Sequence, residues 1–326
     1  MKKTGIWSST AVGLCLLLLI LDGKAAVAGA QSGIQLCLVT VIPALLPFFL
    51  LSNLLLSQLL GREQKLLSGL GRLCGFPTGG SALMIPAFLG GYPMGAQAVG
   101  NAYSHGQITK SSASSLLLFC NNAGPAFLLG MVAPMFPEPW MGWSLWAIHV
   151  GCAVFIGSLM QDSDEQIQLT KNGTCSSSEA MGSALSAMAS VCGWVICFRA
   201  LLSFCGKWFL WRLPLWTQVL VTGLTELVNG CSLLPMVSSV AMRYILAAGL
   251  LGAGGLCVAM QTASVLKGLP MRRFLLGKLL HMVLSMWFAS AVLQGYWPAL
   301  LTAGVAFSVI RRKTQSNSGI FVADGV

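Results

Sequence analysis

The chain alternates long apolar runs with short polar punctuation. The runs extend from Ile6 to Leu21, Ile34 to Leu60, Trp140 to Met160, Ala180 to Gly206, Leu213 to Val240, Ile245 to Leu266 and Leu275 to Ile310. A bilayer core of about 30 Å takes about 20 helical residues, so the longest runs must hold two spans or a broken one. The pattern predicts an all-α polytopic transmembrane bundle with about eight to ten membrane-embedded helical segments, some of half length. Strands crossing a membrane would alternate apolar and polar residues over segments of ~10 residues, and no such dyad pattern is present.

Several runs carry residues that a regular spanning helix disfavours. VIPALLPFFLLSNLL, from Val41 to Leu55, contains Pro43 and Pro47. Each lacks an amide donor and disfavours helix in the residue before it, which predicts a discontinuous or sharply kinked span. In GGSALMIPAFLGGYPMGAQAVGNAY, Gly79 to Tyr103, the cluster Gly90, Gly91, Pro93 and Gly95 predicts a re-entrant hairpin with GGYPMGA at its tip. Asn101 to Lys110 then reads as a polar turn, after which Thr109 or Ser111 caps a helix through Leu116 to Phe119. That helix stops in FCNNAGP, at Asn121, Asn122, Gly124 and Pro125.

A helix broken at membrane depth leaves backbone groups that lipid cannot satisfy, so it must face protein or a water-filled cavity. Asn121 and Asn122 add side-chain donors and acceptors there. AFLLGMV, after Pro125, reads as a new short helix whose N-terminal dipole end favours an anion. Interrupted helices of this kind build substrate sites in many secondary carriers, whereas at an interface the same two asparagines would serve only as a helix cap.

The stretch beyond residue 180 has comparable features. TGLTELVNGC, Thr222 to Cys231, puts Glu226 between apolar flanks and follows it with Asn229 and Gly230; LLGAGGLCVAMQTAS, Leu250 to Ser264, joins a glycine cluster to Gln261. A charge inside a span costs at least ~2.5 kcal/mol on insertion scales, so Glu226 is expected to face protein or a cavity, with Arg199 or Arg243 as partner. The order of glycine-rich breaks suggests two structural repeats. QDSDEQIQLTKNGTCSSSE, residues 161–179, holds four of the nine acidic residues and reads as a polar linker between membrane halves 1–160 and 180–310, with a basic polar tail over 311–326.

Composition agrees: 56% of the 326 residues are hydrophobic and 9% charged, where soluble domains carry roughly 25% charge. The net charge of +10 sits at the ends of apolar runs, as in Lys2, Lys3, Arg62, Lys65, Arg72, Lys267, Arg272, Arg273 and Arg311 to Lys313. This is an interfacial and positive-inside distribution with the lipid bilayer as partner and no nucleic acid, and it places both termini on the cytoplasmic side. Lys2, Lys3 and the following apolar stretch imitate a secretory signal, but the small-residue site at Ala28 to Ala30 lies about eight residues beyond the run, so a retained first helix is expected.

Most of the eleven cysteines lie within apolar runs without a CxxC pair, and His105, His149 and His281 are far apart in sequence. No metal site, disulfide framework or cofactor is therefore expected. Without an HExxH motif or an evident nucleophile and base at depth, the reading is not an enzyme.

Taken in order, VIPALLPFFLLSNLL, GGYPMGAQ, LLLFCNNAGP, TGLTELVNG and GAGGLCVAMQ resemble the YlbJ/SpoVV-type sporulation integral membrane proteins, a family with a nucleoside-recognition or gate domain. The resemblance runs from the first helix to the region of Lys278. It implies a transporter in the outer forespore membrane of an endospore-forming bacterium that moves dipicolinate from the mother cell, in series with an inner forespore membrane system. Cargo of nucleosides or another small polar solute, and a non-transporting scaffold or sensor of the forespore envelope, stand as alternatives, and the sequence admits a homo-oligomer.

Gly91, Tyr92, Pro93, Gly95 and Ala96 match the family's glycine-tyrosine-proline block, and Phe119 to Asn122 its phenylalanine-cysteine-asparagine-asparagine block. Family members commonly follow the first block with a lysine, where this chain has Gln97. For a dianionic aromatic solute the expected contacts are amides from Asn121, Asn122 and Gln261, the Arg199 guanidinium, and stacking on Tyr92 or Phe119. Glu226 is expected to pair with Arg199 or to take up a proton during the cycle.

Overall fold

The computed structural model describes residues 4–61, 65–160, 167, 169 and 176–296. The described residues form helices and turns, with no β-strand among them. In chain order the helices are α1 (Thr4–Leu21), α2 (Gly23–Leu36), α3 (Ile42–Leu59), α4 (Lys65–Leu73), α5 (Met94–Ser104), α6 (Lys110–Leu116), α7 (Pro125–Phe127), α8 (Pro139–Met160), α9 (Ser177–Trp208), α10 (Leu215–Thr225), α11 (Leu227–Ser232), α12 (Val240–Ala253), α13 (Gly255–Val265) and α14 (Met271–Leu293). Wide π turns lie at Cys37–Val41, Pro86–Gly90 and Leu128–Val132.

Among the described residues, five helices are long and apolar enough to cross a membrane: Gly23–Leu59, Pro139–Leu159, Ser177–Trp208, Val240–Val265 and Met271–Leu293. Shorter apolar helices lie at Val12–Leu21, Ser81–Gly90, Pro125–Met135 and Leu227–Met236. Large apolar side chains cover the exterior, among them Val39, Leu51, Leu279, Val283 and Trp287. Such a surface is unusual in water and suits a lipid solvent, so the architecture is compatible with a multi-pass membrane protein.

The span with Pro43 and Pro47 is not discontinuous. Gly23–Leu59 forms 37 residues of uninterrupted helix, roughly 55 Å at 1.5 Å per residue. The π turn at Cys37–Val41 explains the difference. Its wider loop displaces the carbonyls that the Pro43 ring would otherwise strike, and Pro43 itself falls in the first positions of α3, where no amide donor is needed. Only Pro47 then removes a bond inside the helix.

Helix α9 packs along α2 and α3, whereas α8, its predecessor in sequence, packs with α12 and α14. The α2–α9 seam is built on Gly29 and Gly33, a small-xxx-small pair. A Cβ on Gly33 would come within 3.0 Å of Ile196 Cα, and one on Gly29 within 2.9 Å of the Arg199 carbonyl. At one end of the seam Lys207 forms an ion pair with Asp22, whose carboxylate also accepts from the Ala25 amide and caps α2.

Of the polar linker, only a few residues are described. Ile167 donates its amide to the Thr78 carbonyl at 2.9 Å, the Leu169 carbonyl accepts from Gly61 at 3.1 Å, and both side chains are buried. Ser176 and Glu179 make a reciprocal capping box that starts α9. The rest of the linker, the basic tail over 311–326 and the part of the last apolar run beyond residue 296 lie outside the described residues.

Candidate functional site

The site begins where two interrupted segments meet. After the π turn at Pro86–Gly90 the chain turns through Gly91, at φ +80°, then Tyr92 and a cis bond to Pro93, before α5 begins. The second segment is FCNNAGP. Thr109 caps α6 by accepting from the Ser112 amide at 3.2 Å, α6 ends at Leu116, and non-helical backbone carries Asn121 to Gly124 into α7. The two backbones touch: a Cβ on Gly91 would lie 3.0 Å from the Gly124 nitrogen, and one on Gly95 would run into the Cys120 carbonyl. Glycine is required at these crossings because no side chain fits between the segments.

The asparagines hold this crossing together. Asn121 accepts from the Ala96 amide at 3.3 Å and donates to Thr262 Oγ1 on α13 at 2.9 Å. Asn122 donates to the carbonyls of Ala87 and Phe119, at 3.1 and 2.7 Å, while its Oδ1 is buried without a hydrogen-bond partner among the described residues. The next amide, of Ala123, donates to His149 Nε2 on α8 at 3.0 Å.

Tyr92 ties the crossing to the glycine cluster between α12 and α13. Its hydroxyl donates to the Leu251 carbonyl at 2.9 Å, and its ring stands against Gly254, a left-handed residue at φ +71° that separates the two helices. Lys278 of α14 donates to the same hydroxyl at 3.2 Å, with its nitrogen 4.9 Å from the centre of the Tyr92 ring. Lys278 is only 5% exposed, and among the described residues the one ion pair is Lys207 with Asp22, so no carboxylate neutralises it. One helical turn further, His281 stacks on His149 with ring centres 4.5 Å apart and donates from Nε2 to the His149 carbonyl at 3.0 Å. The Nδ1 atoms of both rings are buried and unpartnered among the described residues.

A second polar cluster surrounds α11. Glu226 is buried and uses its carboxylate to cap that helix, accepting from the amides of Val228 at 3.1 Å and Asn229 at 2.7 Å. Arg199 donates to Asn229 Oδ1 at 3.0 Å and to Ser32 Oγ at 3.3 Å.

The expected contacts are thus only partly assembled. Tyr92, Asn121 and Asn122 come together, and Gln261 sits beside Thr262 but donates within its own helix to Cys257 Sγ at 3.1 Å. Gln97 is half-buried on α5, and Gly230 provides a close approach to Gly223. The expected ion pair between Glu226 and Arg199 does not form: the α11 amides occupy the carboxylate, and Asn229 takes the guanidinium. Arg243 is not the partner either, because it donates to the carbonyls of Val237 and Met135 at 2.8 and 2.7 Å. Phe119 is buried, in a T-shaped contact with Phe76 at 5.1 Å and close against the helix at Gly157.

Sequence reading missed Lys278, His149 and His281. The signal for Lys278 was present, since a lone lysine in the run from Leu275 obeys the same cost argument as Glu226. The two histidines are separated by 132 residues, and no local pattern announces that such rings will stack. Among the described residues no group of three or more His, Cys, Asp or Glu side chains forms a metal cluster. Compared with protein-family models, curated proteins and solved structures, the chain matches none.

Proposed function

We propose that this chain is a membrane carrier of a small polar solute, with the substrate site at the crossing of GGYPMGA and FCNNAGP. The observation that supports this reading most is the Tyr92 hydroxyl, which joins the first interrupted segment to the glycine break between α12 and α13 through Leu251. Breaks that meet in the interior keep irregular backbone away from lipid and allow packed segments to move against each other around a fixed site. On this reading Gly79 to Tyr103 is a re-entrant hairpin, and the two interrupted regions are related repeats.

The cargo follows from the family resemblance: dipicolinate, moved from the mother cell across the outer forespore membrane. A test has two arms. Vesicles carrying the purified chain should take up dipicolinate saturably where empty vesicles do not, and spores lacking the chain should be poor in dipicolinate while mother-cell synthesis stays normal. Normal spore dipicolinate in the deletion would sink this cargo and direct the search to nucleosides and other small polar solutes.

A scaffold or sensor is the second reading, and one observation favours it. Both ends of the Asn121 amide are filled by protein, as a purely structural clamp would be. Low spore dipicolinate together with no uptake by vesicles would support that reading instead.

A further inference from the structure

The buried amine of Lys278 is the feature of this molecule least explained by packing. An ammonium has three N–H donors, and among the described residues Lys278 reaches a single acceptor, the Tyr92 hydroxyl, which is itself already donating to Leu251. The ring centres of Tyr92 and Phe274 lie 4.9 and 6.0 Å from its nitrogen. Purely structural buried charges come with a partner, because an unpaired one costs several kcal/mol on the order of magnitude of ion transfer into protein.

The neighbouring histidines have fixed proton positions. His149 Nε2 accepts from the Ala123 amide, so that nitrogen is bare and the ring proton resides on Nδ1, where no acceptor meets it. His281 donates from Nε2 to a carbonyl, which leaves its Nδ1 as a lone pair when the ring is neutral. An amine with donors to spare and an unpartnered N–H thus stand in one polar cluster beside an aromatic face.

We infer that Lys278 is the anion-binding residue of the site, that it receives a carboxylate group of the solute with the His149 Nδ1–H as a second donor, and that the Tyr92 ring borders the organic part of the ligand. The inference rests on the carrier reading and deepens it by naming the residue that meets the solute's negative charge. It also assigns the charge at the GGYPMGA break to α14, where Gln97 brings none. Among the described residues no carboxylate pairs with Lys278, so the solute's carboxylate would be its counter-ion. Charge-assisted hydrogen bonds of this kind are about twice as strong as neutral ones.

The test uses the purified full chain in detergent, with benzoate and pyridine-2,6-dicarboxylate as charged probes and benzamide as a neutral isostere of benzoate. The charged probes should raise the thermal midpoint where benzamide does not, and Lys278→Met should weaken their binding by roughly ten- to a hundredfold. Lys278→Arg should retain part of the response, and Lys267→Met all of it. Without ligand, the midpoint of Lys278→Met should equal or exceed that of the wild type, because the unpaired charge is gone.

Equal responses to benzoate and benzamide in the wild type overturn the inference without reference to any variant. So does an undiminished charged-probe response in Lys278→Met, or a ligand-free midpoint in that variant well below the wild type. The two readings fail separately. Saturable dipicolinate uptake that persists in Lys278→Met vesicles refutes the residue assignment alone, whereas benzoate binding through Lys278 without dipicolinate uptake refutes the dipicolinate carrier alone.

Discussion

At the scale of single residues, much of this molecule is decided by atoms that are missing. Gly95 lets the backbone of α5 rest on the Cys120 carbonyl, and Gly277 does the same for α14 against the Leu118 carbonyl. A methyl group at either place meets backbone rather than a side chain that could rotate away. Gly95→Ala is therefore expected to lower stability by about 1–3 kcal/mol, read as a fall in the thermal midpoint of the purified protein. Gly182→Ala is the control, since its Cβ would meet nothing within 4 Å and alanine is the better helix former by up to about 1 kcal/mol. That Asn121 and Asn122 bond within the packed interior was legible at this scale, because adjacent amides inside an apolar run must find polar partners there. Their separate roles were not. Asn121 spends both ends of its amide on protein, while Asn122 retains an unpartnered oxygen, and that division depends on where α5 and α13 come to lie.

At the scale of elements, the breaks were readable and the continuities less so. Glycine and proline clusters located the break between α6 and α7 and the turn before α5, since a missing donor or a positive φ acts locally. The two prolines near the start of α3 do not interrupt it: a π turn just before them lets the helix continue. The seam between α2 and α9 depends on close approach at Gly29 and Gly33. Gly33→Leu should force these helices apart and cost about 1–3 kcal/mol, seen as a lower midpoint and a poorer yield of monodisperse protein. If Gly33→Leu behaves as the wild type does, α2 does not pack on α9 in this way.

At the scale of the whole molecule, hydrogen bonds from the segment around Tyr92 to Asn122 connect to α12 and α13 across more than a hundred residues of chain. The bond from Asn121 to Thr262 is one of these connections. A double-mutant cycle with Asn121→Ala and Thr262→Val should give a coupling of about 1 kcal/mol, measurable as non-additive shifts in stability. Strict additivity would mean that the two side chains do not meet.

The sequence by itself determined the helical class, the apolar runs and the breaks at Gly91 and at Asn121 to Pro125, because hydrophobic run length, glycine freedom and the missing proline donor are properties of residues and their immediate neighbours. Tertiary structure alone decided the pairings. It put Lys278 over Tyr92, stacked His149 on His281, and gave Arg199 to Asn229 instead of to Glu226. These contacts join residues far apart in the chain, and which donor finds which acceptor is settled by the packing of helices that no local pattern encodes.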